Sequence, residues 1–217
     1  FEGTLTVPAG VELRGCFDVP HHTISGGSVL LATSGRHREN GTPFLRLEGG
    51  SGLRGLTVWY PDQDVTAPVP YPWTVRALGP GCWLMHVTLG NAWQGADFWT
   101  HESTGHVIRY LAGGMLRRGL WVSKSDGDGW VEDLQFNPHY ALRLPDDLPR
   151  PQLSEDAGRR LIDYEREHLE GVVFGRCARE HVRRTFLYAA YDGIAFRDDG
   201  GGTSARVFGS FISWLQD

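Results

Sequence analysis

The residues of this chain best suited to chemistry sit at alternate positions of short apolar segments. Phe44-Leu45-Arg46-Leu47, Thr74-Val75-Arg76-Ala77, Ala96-Asp97-Phe98-Trp99, Leu120-Trp121-Val122-Ser123, Val172-Val173-Phe174-Gly175 and Ile194-Ala195-Phe196-Arg197 share one pattern. Alternate side chains of a strand face opposite ways. With Leu45/Leu47, Val75/Ala77, Ala96/Phe98, Leu120/Val122, Val172/Phe174 and Ile194/Phe196 turned inward, Arg46, Arg76, Asp97, Trp121, Val173 and Ala195 form an outward column. Glu48, Leu78, Trp99, Ser123, Gly175 and Arg197 form the next. Asp97 then stands between Arg76 and Trp121. Trp99 and Trp121 could stack on sugar rings, while Arg46, Arg76 and the carboxylates bind hydroxyl or acid groups. The plainer alternative is an Arg–Asp ladder that satisfies a solvent face.

Hydrolysis of a glycosidic bond with inversion needs two carboxyls roughly 6.5–9.5 Å apart with water between them. Asp126 and Asp128, in Ser123-Lys124-Ser125-Asp126-Gly127-Asp128-Gly129, are the easier partners for Asp97. Asp198 and Asp199 are placed four strand spacings from Asp97, about 19 Å at about 4.8 Å each. They are therefore read as substrate contacts or a polar turn. His101 follows the Asp97 strand and could act as acid or base. Lys124, the one lysine, would need a lowered pKa to act as a base. Asp126 and Asp128 supply hard oxygens that calcium could take, without the full EF-hand pattern; a plain Asp/Gly corner is the alternative. His106, His139 and the His21-His22 pair read as surface or corner residues. No HExxH, Gly-rich phosphate loop with GKS/T or GxSxG elbow is present.

The elements that must position these residues repeat. The six segments begin 30, 22, 24, 52 and 22 residues apart. Second strands follow about ten residues later, in Leu53-x-x-Leu56-x-Val58, Leu84-x-x-Val87-x-Leu89 and Val131-x-x-Leu134-x-Phe136. Between them lie Gly49-Gly50-Ser51-Gly52, Gly79-Pro80-Gly81, Gly127-Asp128-Gly129 and Gly200-Gly201-Gly202, read as corners. This pattern predicts an all-β fold, a right-handed parallel β-helix, with residues 1–217 as one domain. Insertions are expected at 59–73, rich in proline and aromatics, and at 138–170. The second carries a helix near 154–168, with Ser154 as N-cap and Ala157, Leu161 and Tyr164 as its apolar stripe. Such loops commonly wall a groove. The abrupt ends suggest a segment of a longer protein.

Composition narrows the function. The net charge is −5 and 20 of the 21 basic residues are arginine, with 8 Trp, 7 Tyr and 10 Phe. This acidic balance argues against nucleic-acid binding. No apolar run is long enough for a membrane span. Cys16, Cys82 and Cys177 lack disulfide or zinc spacing and read as isolated thiols.

Val7-Pro8-Ala9-Gly10-Val11-Glu12-Leu13-Arg14-Gly15 resembles the opening coil of the pectate-lyase-like right-handed β-helix superfamily. Gly55–Val58 and Leu84–Asn91 are similar to later coils. The chain departs from the group in having only Asn40, Asn91 and Asn137, and in lacking the paired-aspartate and Gly-His-Gly signatures of polygalacturonases. The resemblance implies a secreted, periplasmic or surface protein acting on polysaccharides. Glycoside hydrolysis is expected, with Asp97 and Asp126 or Asp128 as acid and base. Alternatives are a lyase acting at a uronate, with an Arg, Lys124 or His101 as base and calcium as a common cation, and a non-catalytic glycan-binding or tailspike-like module. The expected partner is a polysaccharide or oligosaccharide.

Overall fold

A computed structural model describes residues 2–17, 23, 27–201 and the backbone strand 207–214; His21, His22 and Gly202 lie outside the described residues. The strands in chain order are β1 Leu5–Val7, β2 Glu12–Arg14, β3 Ser28–Leu31, β4 Leu45–Leu47, β5 Gly52–Trp59, β6 Trp73–Ala77, β7 Trp83–Phe98, β8 Val107–Val122, β9 Ser125–Glu132 and β10 Gln135–Phe136. The helices α1 His139–Leu142 and α2 Ala157–His168 follow, then β11 Glu170–Phe174, β12 Cys177–Tyr188, β13 Asp192–Phe196 and β14 Val207–Trp214.

The outward columns are in register. Arg46 pairs with Arg76, Arg76 with Asp97, Asp97 with Trp121, Trp121 with Val173 and Val173 with Ala195. The inward residues between them, from Leu45 through Val75, Ala96 and Leu120 to Val172, are buried and build the core. β11 pairs directly with β8, so the insertion of 138–170 adds no strand level between them.

The expected right-handed parallel β-helix is corrected. All 14 strands join one parallel sheet, but β8, β9, β12 and β10 close on one another as a four-stranded parallel barrel, and the other strands lie outside it. The 22–24-residue step specifies which residues pair. It does not specify whether successive strands stay open or close. β7 and β8 each run 16 residues where two short strands are expected. They pass through bends at positive φ, such as His86 at 54° and Tyr110 at 56°, without interrupting the ladder.

Glycine also works differently from the expectation at one corner. Gly49–Gly50 and Gly79–Gly81 do lie at turns, but Gly127 and Gly129 are inside β9. A Cβ on Gly129 would collide with the His106 ring and the Glu180 carboxylate, so close approach fixes this residue. Gly95, Gly119 and Gly171 form a stacked column of the same kind. A Cβ on Gly95 would sit 2.5 Å from Gly119 O, and one on Gly171 2.8 Å from Gly193 O.

The helix in the second insertion is present, with a different cap. Asp156 is its N-cap, and Ser154 donates to Asp156 Oδ1 at 3.0 Å instead of capping the backbone. Ala157 and Leu161 are buried as expected; the third buried position is Glu165, whereas Tyr164 is only partly buried. No helix among the described residues is long and apolar enough to cross a membrane.

Candidate functional site

The column of charged and aromatic residues forms a strip across β6, β7, β8, β11 and β13. Parallel pairing brings Trp73, Gln94, Arg118, Glu170 and Asp192 level with one another. Beside them lie Arg76, Asp97 and Trp121, then Trp99 and Arg197. Trp121 meets Trp73 and Trp99 edge-on, with ring centroids 5.9 and 5.3 Å away. The guanidiniums of Arg118 and Arg197 lie over the Trp121 ring at 5.1 and 5.6 Å, a favourable arrangement for cation and quadrupole. The half-buried Trp99 remains the ring better placed for stacking.

Glu170 organises the arginines. Its Oε1 accepts the Arg197 ion pair at 2.8 Å and lies 3.7 Å from Arg117 Nη1. Its Oε2 is 3.9 Å from Arg118 Nε and has no hydrogen-bond partner. Trp121 Nε1 is likewise buried without a partner. Arg118 Nη1 donates to both Gln94 Oε1 at 2.6 Å and Glu39 Oε1 at 3.1 Å. Glu39 also accepts from Trp93 Nε1 at 3.4 Å, so the loop before β4 is fastened to the strip.

Asp97 lies in this strip but is fully engaged. Its Oδ2 accepts from Arg76 Nε at 2.5 Å and Thr100 Oγ1 at 2.7 Å, and its Oδ1 from the Trp99 and Thr100 amides at 2.9 Å each. It is 1% exposed. These bonds hold the turn leaving β7 and occupy both carboxylate oxygens.

The other candidates are dispersed. Asp126 pairs with Arg176 at 2.6 Å, on the exposed surface. Asp128 accepts two bonds from Arg179 and one from His181, and these partners pull its carboxyl down to about 2. Both carboxylates face cations, a poor setting for calcium. No group of three or more candidate metal ligands occurs among the described residues. Lys124, at φ 55°, donates to Thr100 O at 2.7 Å. His101 is exposed. Arg46 borders the strip, its Nε buried without a partner.

Asp199 is closer to the strip than the expected four spacings. Because β11 lies next to β8, β13 is three strands from β7, about 14 Å. Residue 199 then folds back to accept from Ser123 Oγ, and the Ser123 hydroxyl also receives the Arg176 amide at 2.9 Å. Burial pushes the Asp199 carboxyl up, but Ser123, the Gly201 amide, Arg176 and Lys124 together hold it below the usual range. Asp198 accepts from the Gly200 amide and caps the adjacent turn.

Glu170, Glu39, Arg118 and Trp73 are the strip residues that inspection of the sequence missed; Arg197 stands in the second outward column, as expected. For Arg118 and Glu170 the available signal was position: both lie two residues before an inward residue of the repeat, level with Gln94. The loop carrying Glu39 bears no such signal.

The chain matches no family model, and no curated protein or solved structure is similar to it. None of these comparisons identifies the pectate-lyase-like superfamily.

Proposed function

We propose that this chain binds a polysaccharide along the tryptophan–arginine strip. One observation carries the reading. A buried donor, Trp121 Nε1, and a buried acceptor, Glu170 Oε2, both adjoin Arg118 and both lack hydrogen-bond partners in the protein. Buried polar atoms are rarely left unpaired, and a sugar hydroxyl can serve a donor and an acceptor at once. Trp99 offers an aromatic face for the ring's C–H surface, while Arg118 and Arg197 supply directed donors.

The test is a panel of neutral and acidic polysaccharides against the wild type and Trp99→Ala. Loss of a stacking ring is expected to weaken binding about tenfold or more, from the ~1.5–3 kcal/mol of burying a large apolar side chain. Equal affinity for every polymer in both proteins would overturn the reading.

A second reading, glycosidic cleavage of the bound chain, is favoured by Glu170 Oε2, a buried strip carboxylate oxygen without a hydrogen-bond partner. Asp192, across Arg197, and Glu39, across Arg118, are its acidic counterparts in this network. Cleavage predicts new reducing ends that Glu170→Gln abolishes. An unsaturated product would instead indicate elimination, and no turnover on any polymer leaves binding alone.

A further inference from the structure

A cavity of about 530 Å³ lies where the two insertions meet, lined by Arg36, Pro61, Asp62, Pro149, Arg150 and Pro151. Its volume falls in the range of small-molecule sites. The insertions are fastened together at its edge: Trp59 Nε1, at the end of β5, donates to Pro149 O at 2.7 Å. Three proline rings give it stiff apolar walls. Arg36, Arg150 and Asp62 supply its charged groups, and Arg150 also lies 3.9 Å from the exposed Asp146.

Tyr71 is wholly buried behind this lining. Burial and the Asp62 charge push its pKa up, and the charge of Arg36 and a hydrogen bond from it oppose them, so the tyrosine backs the Arg36 wall.

The cavity is also tied to the strip. Arg36 lines the cavity, and Glu39, three residues on, binds Arg118 and Trp93. The backbone oxygen of Glu39 accepts from Gln94 Nε2 at 3.0 Å, and the same amide donates to Tyr71 O at 2.9 Å. His37, between them, is held at φ 64° with its amide on Pro70 O. One rigid loop thus carries a wall of each.

We propose that this cavity is a second sugar subsite, which takes a neutral hydroxyl-rich ring on Arg36, Asp62 and Arg150 between proline walls, and that a bound glycan runs from it onto the tryptophan strip. The proposal rests on the polysaccharide reading. The mixed lining suits a neutral ring: a guanidinium and a carboxylate can each bind neighbouring hydroxyls, whereas a carboxylated ring would meet Asp62.

The probes are the trimer and octamer of a β-1,4-glucan, with oligogalacturonides of the same lengths as the acidic arm, titrated by calorimetry. The octamer of the glucan is expected to bind about tenfold tighter than its trimer. Arg36→Ala/Arg150→Ala should bring that ratio close to one, and Tyr71→Phe should lower it by a smaller factor without lowering the melting temperature. A ratio unchanged in both variants overturns the subsite and leaves the strip reading standing. A length preference confined to the acidic oligomers also overturns it. Failure of every oligomer to bind the wild type overturns both.

Discussion

At the scale of single residues, engagement separates structural carboxylates from available ones. Asp97 spends both oxygens on one guanidinium, one hydroxyl and two amides. Asp97→Ala would strand Arg76 and open the turn, so a loss of about 3–5 kcal/mol is expected in denaturant titration. A variant as stable as wild type but without activity would instead give Asp97 a chemical role. Two buried groups set the alkaline limit of stability. Burial pulls His106 toward neutrality, but the Glu180 charge, its hydrogen bond at 2.9 Å and Ser103 O together raise its pKa above 6.5. Burial alone raises Glu165 well above 4.5, and neither of its oxygens has a partner. A raised native pKa contributes stability that is complete below the unfolded pKa and lost as pH climbs through the native one. The melting temperature should therefore fall on the alkaline side, and Glu165→Leu should flatten that fall while adding about 1–3 kcal/mol near neutral pH. Asp128 has the opposite sign: its pKa of about 2 means that its ties to Arg179 and His181 persist as pH falls below the usual carboxylate range.

At the scale of elements, pairing register was legible and strand continuity was not. The repeating apolar pairs identify Arg76, Asp97 and Trp121 as neighbours because parallel pairing puts equivalent residues side by side, and the structure has that register. The bends at His86 in β7 and Tyr110 in β8 escaped notice because these residues are not glycines and give no turn signal. Glycine misled at Gly129, where lack of space and not curvature excludes a side chain. The same distinction yields a paired prediction. Gly119→Ala puts a methyl 2.7 Å from the Phe136 ring and against Gly171 O, and should cost about 1–3 kcal/mol or more. Gly158→Ala, within α2, meets only Leu142 at 3.4 Å, and should add about 0.5–1 kcal/mol. Chemical denaturation of both variants checks the pair.

At the scale of the whole molecule, closure of β8, β9, β12 and β10 had no signature in the repeat, because the same spacing serves open and closed parallel arrangements. The site was legible by half. Trp99, Trp121, Arg76 and Asp97 follow from alternation along strands. Glu39 and the cavity between the insertions depend on how loops distant in sequence come together, which local spacing does not encode. The insertions meet at Trp59 and Pro149 and, through Arg36 and Glu39, join the strip to the cavity. The central claim is that the strip's unpaired polar atoms await a sugar hydroxyl, and Trp121→Phe tests it most directly. The substitution keeps an aromatic ring beside Arg118 and Arg197 and removes only the indole donor and part of the ring. Calorimetric titration with the polysaccharide that binds the wild type, alongside a thermal melt, should show affinity reduced about fivefold to tenfold, as for one hydrogen bond of about 1–1.4 kcal/mol, with the fold retained. Unchanged affinity in a folded Trp121→Phe protein would contradict the account.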